Sequence, residues 1–157
     1  MNFQADQNMT DADKSRQEED YAGEIKGGLR PSMRLVVMGI VHKQPKSLVV
    51  TLSCPSQGKG EEEEEGDVGL QLTVNFAEKA VRRNSRMAGK WGTSESALSF
   101  FPFAAGEAFK MEIVCEHQQF RVMVDGQPLC GFTHRVTRLA SLTSLRVVGD
   151  LQLTKVA

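Results

Sequence analysis

The sequence lacks both a long apolar run and a secretory signal. No segment approaches the ~18 consecutive apolar residues that a membrane-spanning helix needs. The start of the chain, from Met1 to Gln7, has no basic group followed by an apolar stretch. We therefore expect a chain that is made in the cytoplasm and has no membrane span. Any export would take a non-classical route.

Cysteine is also scarce, with three residues in the chain: Cys54, Cys115 and Cys130. An odd number without the spacing of metal ligands argues against a closed disulfide framework and against a zinc site. Each cysteine stands beside apolar residues in a strand-like run. This pattern predicts buried, reduced thiols, and a redox role is the alternative.

The groups that mark an enzyme are missing. Neither Gly27-Gly28 nor Gly58-Lys59-Gly60 has the context of a phosphate-binding loop. No pair of carboxylates is placed for glycoside hydrolysis. None of the three histidines lies beside a serine or cysteine in a nucleophile setting: His42, His117 and His134. We therefore expect no enzyme activity, no bound metal and no cofactor.

Charge is spread unevenly along the chain, although the net charge of −1 gives no general reason to expect nucleic acid or a membrane as partner. Residues 1–20 are polar and carry six acidic against two basic side chains. Such a segment buries too little apolar surface to offset the entropy lost on ordering. We interpret residues 1–20 as a disordered polar arm and residues 21–157 as one folded domain.

A second acidic segment runs from Glu61 to Glu65. Adjacent carboxylates repel one another, which predicts an exposed loop or an insertion at the end of a strand. A metal site is the alternative, but the oxygens of a contiguous run do not converge on one ion.

The remaining pattern is typical of antiparallel β-structure. Apolar and polar residues alternate strictly from Val68 to Phe76, and the same period of two recurs over 109–115 and 120–124. Asp125-Gly126 is a strong hairpin signal, because glycine tolerates the positive φ that the turn requires. About ten short strands, with at most a single helical turn near 137–141, predict an all-β sandwich or barrel.

Several segments, in order, resemble the galectins, the β-galactoside lectins, over residues 24–157. The resemblance implies a galectin-type (concanavalin A-like, jelly-roll) antiparallel β-sandwich. It also implies a lectin-like protein without enzyme activity. Five segments carry it: Gly27 to Pro31, Phe101-Pro102-Phe103, Phe120 to Gly126, Phe132-Thr133-His134-Arg135, and Gly149-Asp150-Leu151.

Galectins hold galactose with a short set of side chains on one sheet face. A tryptophan lies under the apolar sugar face, and a histidine, two asparagines, two arginines and a glutamate bind the hydroxyls. In this sequence Trp91 matches the tryptophan and Asn84 matches one asparagine. The other five positions match uncharged residues: Gln71, Thr73, Asn75, Ser94 and Ser96.

These departures predict that galactoside binding is weak or absent. If each missing contact contributes ~1 kcal/mol, five losses lower the affinity several thousandfold. Trp91 and Asn84 would remain as a vestigial sugar site, with Trp91 either a surviving ligand contact or a relic. Glu95 lies one residue from the glutamate position, which on a strand means the opposite face. Within the family, the chain is most similar to a single-domain, non-lectin member with a polar N-terminal extension. That likeness implies a cytosolic monomer.

A group of basic residues, here called the basic hairpin, lies between the alternating strand and Trp91: Lys79, Arg82, Arg83, Arg86 and Lys90. It is either a solvated hairpin or an anion site, with Arg82, Arg83, Arg86 and Lys90 as candidate ligands. Arg86 and Lys90 should project near the sugar face, whereas at most one of Arg82 and Arg83 faces it.

Three hypotheses follow. The first is an interaction module with lost galactoside binding and an unknown protein partner. The second is a lectin of altered specificity, directed at anionic glycans through Trp91, Asn84 and the basic hairpin. The third is a structural or nucleic-acid-associated protein that uses only the basic surface, although no specific nucleic acid is expected.

Overall fold

The chain folds into two antiparallel sheets that face each other. The computed structural model describes residues 18–55 and 66–157, so most of the predicted arm and the whole Glu61 to Glu65 run lie outside the described residues. The six-stranded sheet has the order β1 (Glu19–Glu24), β10 (Ser144–Gly149), β3 (Ser47–Ser53), β4 (Val68–Asn75), β5 (Ala80–Met87) and β6 (Lys90–Trp91). The five-stranded sheet has the order β11 (Leu151–Val156), β2 (Arg34–Val41), β7 (Ala108–Cys115), β8 (Gln119–Val124) and β9 (Gln127–Thr133).

The predicted all-β sandwich is confirmed, and its core lies between the two sheets. Leu70, Leu72 and Val74 of β4 are fully buried and pack with the inward side chains of the facing sheet, such as Met111 and Val122. The alternation in the sequence thus translates directly into one apolar face per strand. The β8–β9 turn is the predicted Asp125-Gly126, both residues with positive φ (52° and 81°).

One boundary differs from the expectation. The first strand begins at Glu19, inside the segment 1–20 that we interpreted as a disordered arm. Glu19 is buried, and its carboxylate accepts a hydrogen bond of 2.9 Å from the amide of Leu153. Asp20 pairs with Arg146, whose hydrogen bond holds the pKa of Asp20 below its usual value. Acidic side chains are compatible with this strand because it is the edge of its sheet, where few apolar contacts are required.

The thiols are less uniformly buried than predicted. All three are free, but only Cys115 is buried, whereas Cys54 and Cys130 are half-buried. Burial raises the pKa of Cys115 and of Cys130. Cys54 and Cys130 are only half-buried because Cys54 follows the end of β3 and Cys130 lies on β9, the edge strand of its sheet. Neither side chain is therefore enclosed on all sides.

The connection between β9 and β10 contains a short 3-10 turn, Leu139–Ser141, inside the predicted helical turn. Gly28 packs directly on it: a Cβ at this position would lie 1.9 Å from the carbonyl oxygen of Ala140, and its φ is +74°. Only glycine tolerates both this φ and so close an approach. Packing therefore accounts for the glycine at position 28, and no phosphate-binding role is needed to explain it. In the described part of the chain, no helix is long and apolar enough to cross a membrane.

Candidate functional site

The outer face of β4 and β5, away from the core, carries a row of polar side chains. Gln71 lies opposite Asn84 and Thr73 opposite Arg82 in the antiparallel register. Gln71, Thr73 and Asn75 are half-buried, between the fully buried apolar residues of the same strand. The strand alternation therefore brings these matched positions together on one surface.

Trp91 stands at the edge of this face. A tight β5–β6 turn at Ala88 and Gly89, both with positive φ, returns the chain so that Trp91 pairs with Arg86. The Asp67 carboxylate accepts a hydrogen bond of 3.1 Å from the Ala88 amide and fastens this turn. Trp91 is 46% exposed, so its ring is accessible to a ligand.

The segment after Trp91 is held against β5 at a single bridge. The amides and carbonyls of Arg83 and Glu95 exchange two hydrogen bonds, each of 2.8 Å. Glu95 therefore shares the inward side of Arg83, and by alternation its neighbours Ser94 and Ser96 lie on the outer side with Asn84. Both serines are exposed. The five positions without charge thus share the face of Trp91 and Asn84.

Asn84 is committed to contacts within the protein. Its amide nitrogen donates to the carbonyl of Gly92 at 2.9 Å, and its Oδ1 accepts from the Ser85 amide at 2.8 Å and from Arg135 at 3.0 Å. An asparagine side chain offers two N–H groups and one carbonyl oxygen. One N–H therefore remains for a ligand on the outer face.

Arg135 organises the site from beneath, and no sequence pattern beyond its segment 132–135 indicates this role. Its guanidinium donates to Asn84, to the carbonyl of Thr93 at 2.7 Å and to the carboxylate of Glu95 at 2.8 Å. It also lies over the ring of Phe132, 4.5 Å from the centroid. One side chain from the loop after β9 thus connects β5 with the segment that follows Trp91.

Arg83, one of the candidate anion ligands, is buried and bonded within the protein, so it is not available at the surface. It is only 4% exposed, and its Nη1 donates to the carbonyls of Val81 and Ala97 at 3.1 and 3.0 Å. Alternation along β5 sends Arg83 inward and its neighbour Arg82 outward. Arg82 in turn forms an ion pair with Glu78, which reduces its availability to a ligand.

The five cations of the basic hairpin also do not form one cluster. Lys79 lies in the turn before β5 and Lys90 at the start of β6, after the far end of the same strand. A strand rises ~3.3 Å per residue, so the eight residues of β5 separate these two side chains by roughly 25 Å. Of the five, Arg86 pairs with Trp91 and shares its face. Lys90 pairs with Met87 and by alternation projects to the other side of the sheet, whereas we expected both near the sugar face.

The described residues contain no cluster of three or more histidine, cysteine, aspartate or glutamate side chains that could hold a metal ion. The outer face offers an exposed ring, hydroxyls and amides, with Arg86 on the same side and Lys90 at the edge strand next to it. Such a surface suits non-covalent binding rather than covalent chemistry.

Comparison with known proteins agrees with this architecture. The chain is 35% identical to galectin-4 of Sus scrofa over 136 residues, which cover 87% of this chain and 40% of that protein. Human galectin-4 is 29% identical over 136 residues, again 87% of this chain and 40% of the relative. The chain thus spans about 40% of the length of the curated relatives it matches.

A solved structure and a family model extend the match. Sheep galectin-11, solved in complex with glycerol, superposes with a TM-score of 0.73 at 23% identity, covering 87% of this chain and 95% of that one. At this identity the likeness shows the shared fold. The sequence model of the galactoside-binding lectins matches residues 20–157. The chain therefore belongs to the galectin family, whose members are carbohydrate-binding lectins and not enzymes.

Proposed function

We propose that this protein is a galectin-fold interaction module that does not bind β-galactosides, similar to the galectin-related, non-lectin kind of family member. One observation carries the proposal: five of the seven sugar-contact positions on the outer face hold uncharged, shorter or differently shaped groups. These positions are Gln71, Thr73, Asn75, Ser94 and Ser96.

The energetics of hydrogen bonding support a loss of galactoside affinity. Hydroxyl groups of a sugar are bound against competition from water, so each missing partner costs ~1 kcal/mol and five cost ~5 kcal/mol, or several thousandfold in affinity. Asn84, one of the two retained residues, already uses most of its hydrogen-bonding groups in contacts with Gly92, Ser85 and Arg135. Trp91 alone supplies stacking without orientation.

Titration with lactose tests this proposal directly. We expect no saturable heat in calorimetry at millimolar lactose, while a galactoside-binding galectin in the same buffer gives a normal isotherm. Saturable binding at sub-millimolar lactose would contradict the loss of galactoside binding.

A second candidate function is a lectin for anionic glycans. It is favoured by the exposed Trp91 ring with Arg86 opposite it and Lys90 beside it in sequence. Cations at the rim of an aromatic platform attract sulfated or carboxylated sugars even when the net charge of the protein is near zero.

Retention on heparin separates this candidate from the first. We expect weak retention at low ionic strength that is lost at modest salt, because exposed charges are screened within ~8–10 Å. Combined replacement Arg86→Ala and Lys90→Ala should abolish retention, while Arg82→Ala, which removes a cation four residues along β5 from the one paired with Trp91, should not. Wild-type protein that passes through a low-salt column unretained would exclude the anion site. Equal retention of any polyanion, glycan or not, would favour a nonspecific basic surface.

The same proposal includes a cytosolic, monomeric protein whose function is to bind another protein. The support is the resemblance to the non-lectin member of the family.

A further inference from the structure

A second surface lies at the opposite end of β4 and β5 from the β5–β6 turn. It is a cleft of about 600 Å³, a size typical of ligand sites. Three segments form it: the link before β3 with Pro45 and Lys46, the β4–β5 turn from Phe76 to Lys79, and the segment 101–105. Asn75, the last residue of β4, also lines the cleft, so the cleft adjoins the outer face at the end of the sheet away from Trp91.

The cleft has aromatic walls. Phe76 and Phe101 line it and are half-buried, and their rings meet edge to face with centroids 5.8 Å apart. Phe101 contacts the buried Phe103 at 5.7 Å, and Phe103 contacts Phe109 in the core at 5.4 Å. Because each ring rests on one that is more deeply buried, the walls are pre-organised, and little conformational entropy is lost when a ligand binds.

Hydrogen bonds connect the lining segments. The amide of Phe76 donates to the carbonyl of Lys46 at 3.1 Å, joining the β4–β5 turn to the link before β3. Within the turn, the Glu78 amide donates to Oδ1 of Asn75 at 2.9 Å, and Lys79 adopts a positive φ of 51°. The turn is therefore a defined structure that presents Lys79 at the rim.

Two cations flank the aromatic walls. Lys46 and Lys79 both line the cleft and are exposed, and neither has an ion-pair partner within 18–55 and 66–157. The two neighbouring acids have other partners. The Asp150 carboxylate accepts hydrogen bonds from the backbone amides of Lys46 and Ser47 at 2.8 and 3.1 Å, and Glu78 forms an ion pair with Arg82. The rim thus presents positive charge beside an apolar floor.

We propose that this cleft binds an acidic peptide segment of a partner protein. One large apolar side chain of the segment packs on the accessible surfaces of Phe76 and Phe101, and carboxylates beside it meet Lys46 and Lys79. The inference rests on the proposed role as an interaction module and adds the chemistry of the partner. Buried aromatic contact supplies the affinity, and the two lysines select for charge.

A sugar fits this cleft poorly. Among the side chains that line it, Asn75 is the uncharged hydrogen-bonding group, and its Oδ1 is engaged by the Glu78 amide. A saccharide needs several convergent donors and acceptors, because its hydroxyls lose their water on binding. A peptide anchor needs only an apolar slot and a charged rim, and this cleft provides both.

A synthetic peptide tests the proposal. The probe is a capped pentapeptide with the central sequence glutamate-phenylalanine-aspartate between two serines, titrated into ¹⁵N-labelled full-length protein. We expect shifts of backbone amides confined to residues 46, 75–79, 101 and 103–105, with a dissociation constant between about 10 μM and 1 mM, as for a single-anchor contact. Replacing the phenylalanine of the probe with serine should abolish the shifts.

Variants of the rim provide the matched comparison. The double change Lys46→Gln and Lys79→Gln should weaken binding of the acidic probe about tenfold, because the two carboxylates of the probe lose their cationic partners. The double change Lys26→Gln and Lys155→Gln removes the same charge from exposed lysines elsewhere and should leave binding unchanged.

Three results would overturn the proposal. They are no saturation at millimolar probe, equal binding of a probe with glutamine and asparagine in place of its acids, and equal weakening by the Lys26 and Lys155 control. A lactose titration of the same sample reports on the sugar face separately, so failure of the cleft does not bear on the loss of galactoside binding.

Discussion

Five substitutions on the outer face of the six-stranded sheet should give this protein a lactose-binding site. The strands, Trp91 and the outward orientation of the matched positions are already in place, so only the side-chain chemistry is missing. At ~1 kcal/mol per restored contact, the affinity should rise several thousandfold, from undetectable at millimolar lactose to saturable binding in calorimetry. The changes are Gln71→His, Thr73→Asn, Asn75→Arg, Ser94→Glu and Ser96→Arg.

The control is the same variant with Trp91→Ala, which should lose the new binding because the apolar sugar face has no platform. The restored variant should also be about 1 kcal/mol less stable, since Asn75 no longer accepts the Glu78 amide. A folded variant that still gives no heat would show that the backbone and the internal contacts of Asn84, rather than the five side chains, prevent galactoside binding.

The substitution Arg135→Ala should destabilise the protein more than most substitutions outside the apolar core. Its side chain is 26% exposed, and the substitution leaves the Thr93 carbonyl and the Glu95 carboxylate without this donor and the Asn84 oxygen with the Ser85 amide alone. We expect the free energy of unfolding to fall by about 2–4 kcal/mol, the range for removing one partner of a charged, partly buried network. Urea unfolding measures it.

A second measurement separates local from global effects. Trp91 is the only tryptophan, so its fluorescence reports on the segment that Arg135 holds. We expect a change in its emission in the folded Arg135→Ala protein, and a smaller one in Arg135→Lys, which keeps the charge but not the planar fork. Arg121→Ala removes an exposed arginine paired with Glu116 and should cost at most about 1 kcal/mol. Equal losses for the two alanine variants would contradict the organising role of Arg135.

Much of the fold was predictable because β-strand alternation is a local property. The period of two from Val68 to Phe76 identifies the buried and polar faces of β4 before any partner strand is known. The Asp125-Gly126 turn follows in the same way from the φ preference of glycine. The start of β1 was not predictable, since Glu19 is ordered by the amide of Leu153, 134 residues away.

The candidate site was also predictable only in part. Alternation placed Gln71, Thr73 and Asn75 on one face and restricted Arg82 and Arg83 to opposite faces, but it did not decide which arginine is buried. Only the packing of the two sheets decided that, because it determines which side of β5 meets the core. The short spacing along the chain likewise suggested that the cations of the basic hairpin form one cluster. In the structure the length of β5 separates Lys79 from Lys90.

By itself, the sequence determined the class of fold, the resemblance to galectins and the uncharged residues at the positions matched to sugar contacts, because each depends on residue identity at short, regular spacing. The tertiary structure alone decided the role of Arg135, the burial of Arg83 and the cleft beside Phe101. Each of these joins segments far apart in the chain, as Arg135 and Asn84 are across 51 residues. Contacts between such segments depend on how the two sheets face each other, and no local pattern encodes that arrangement.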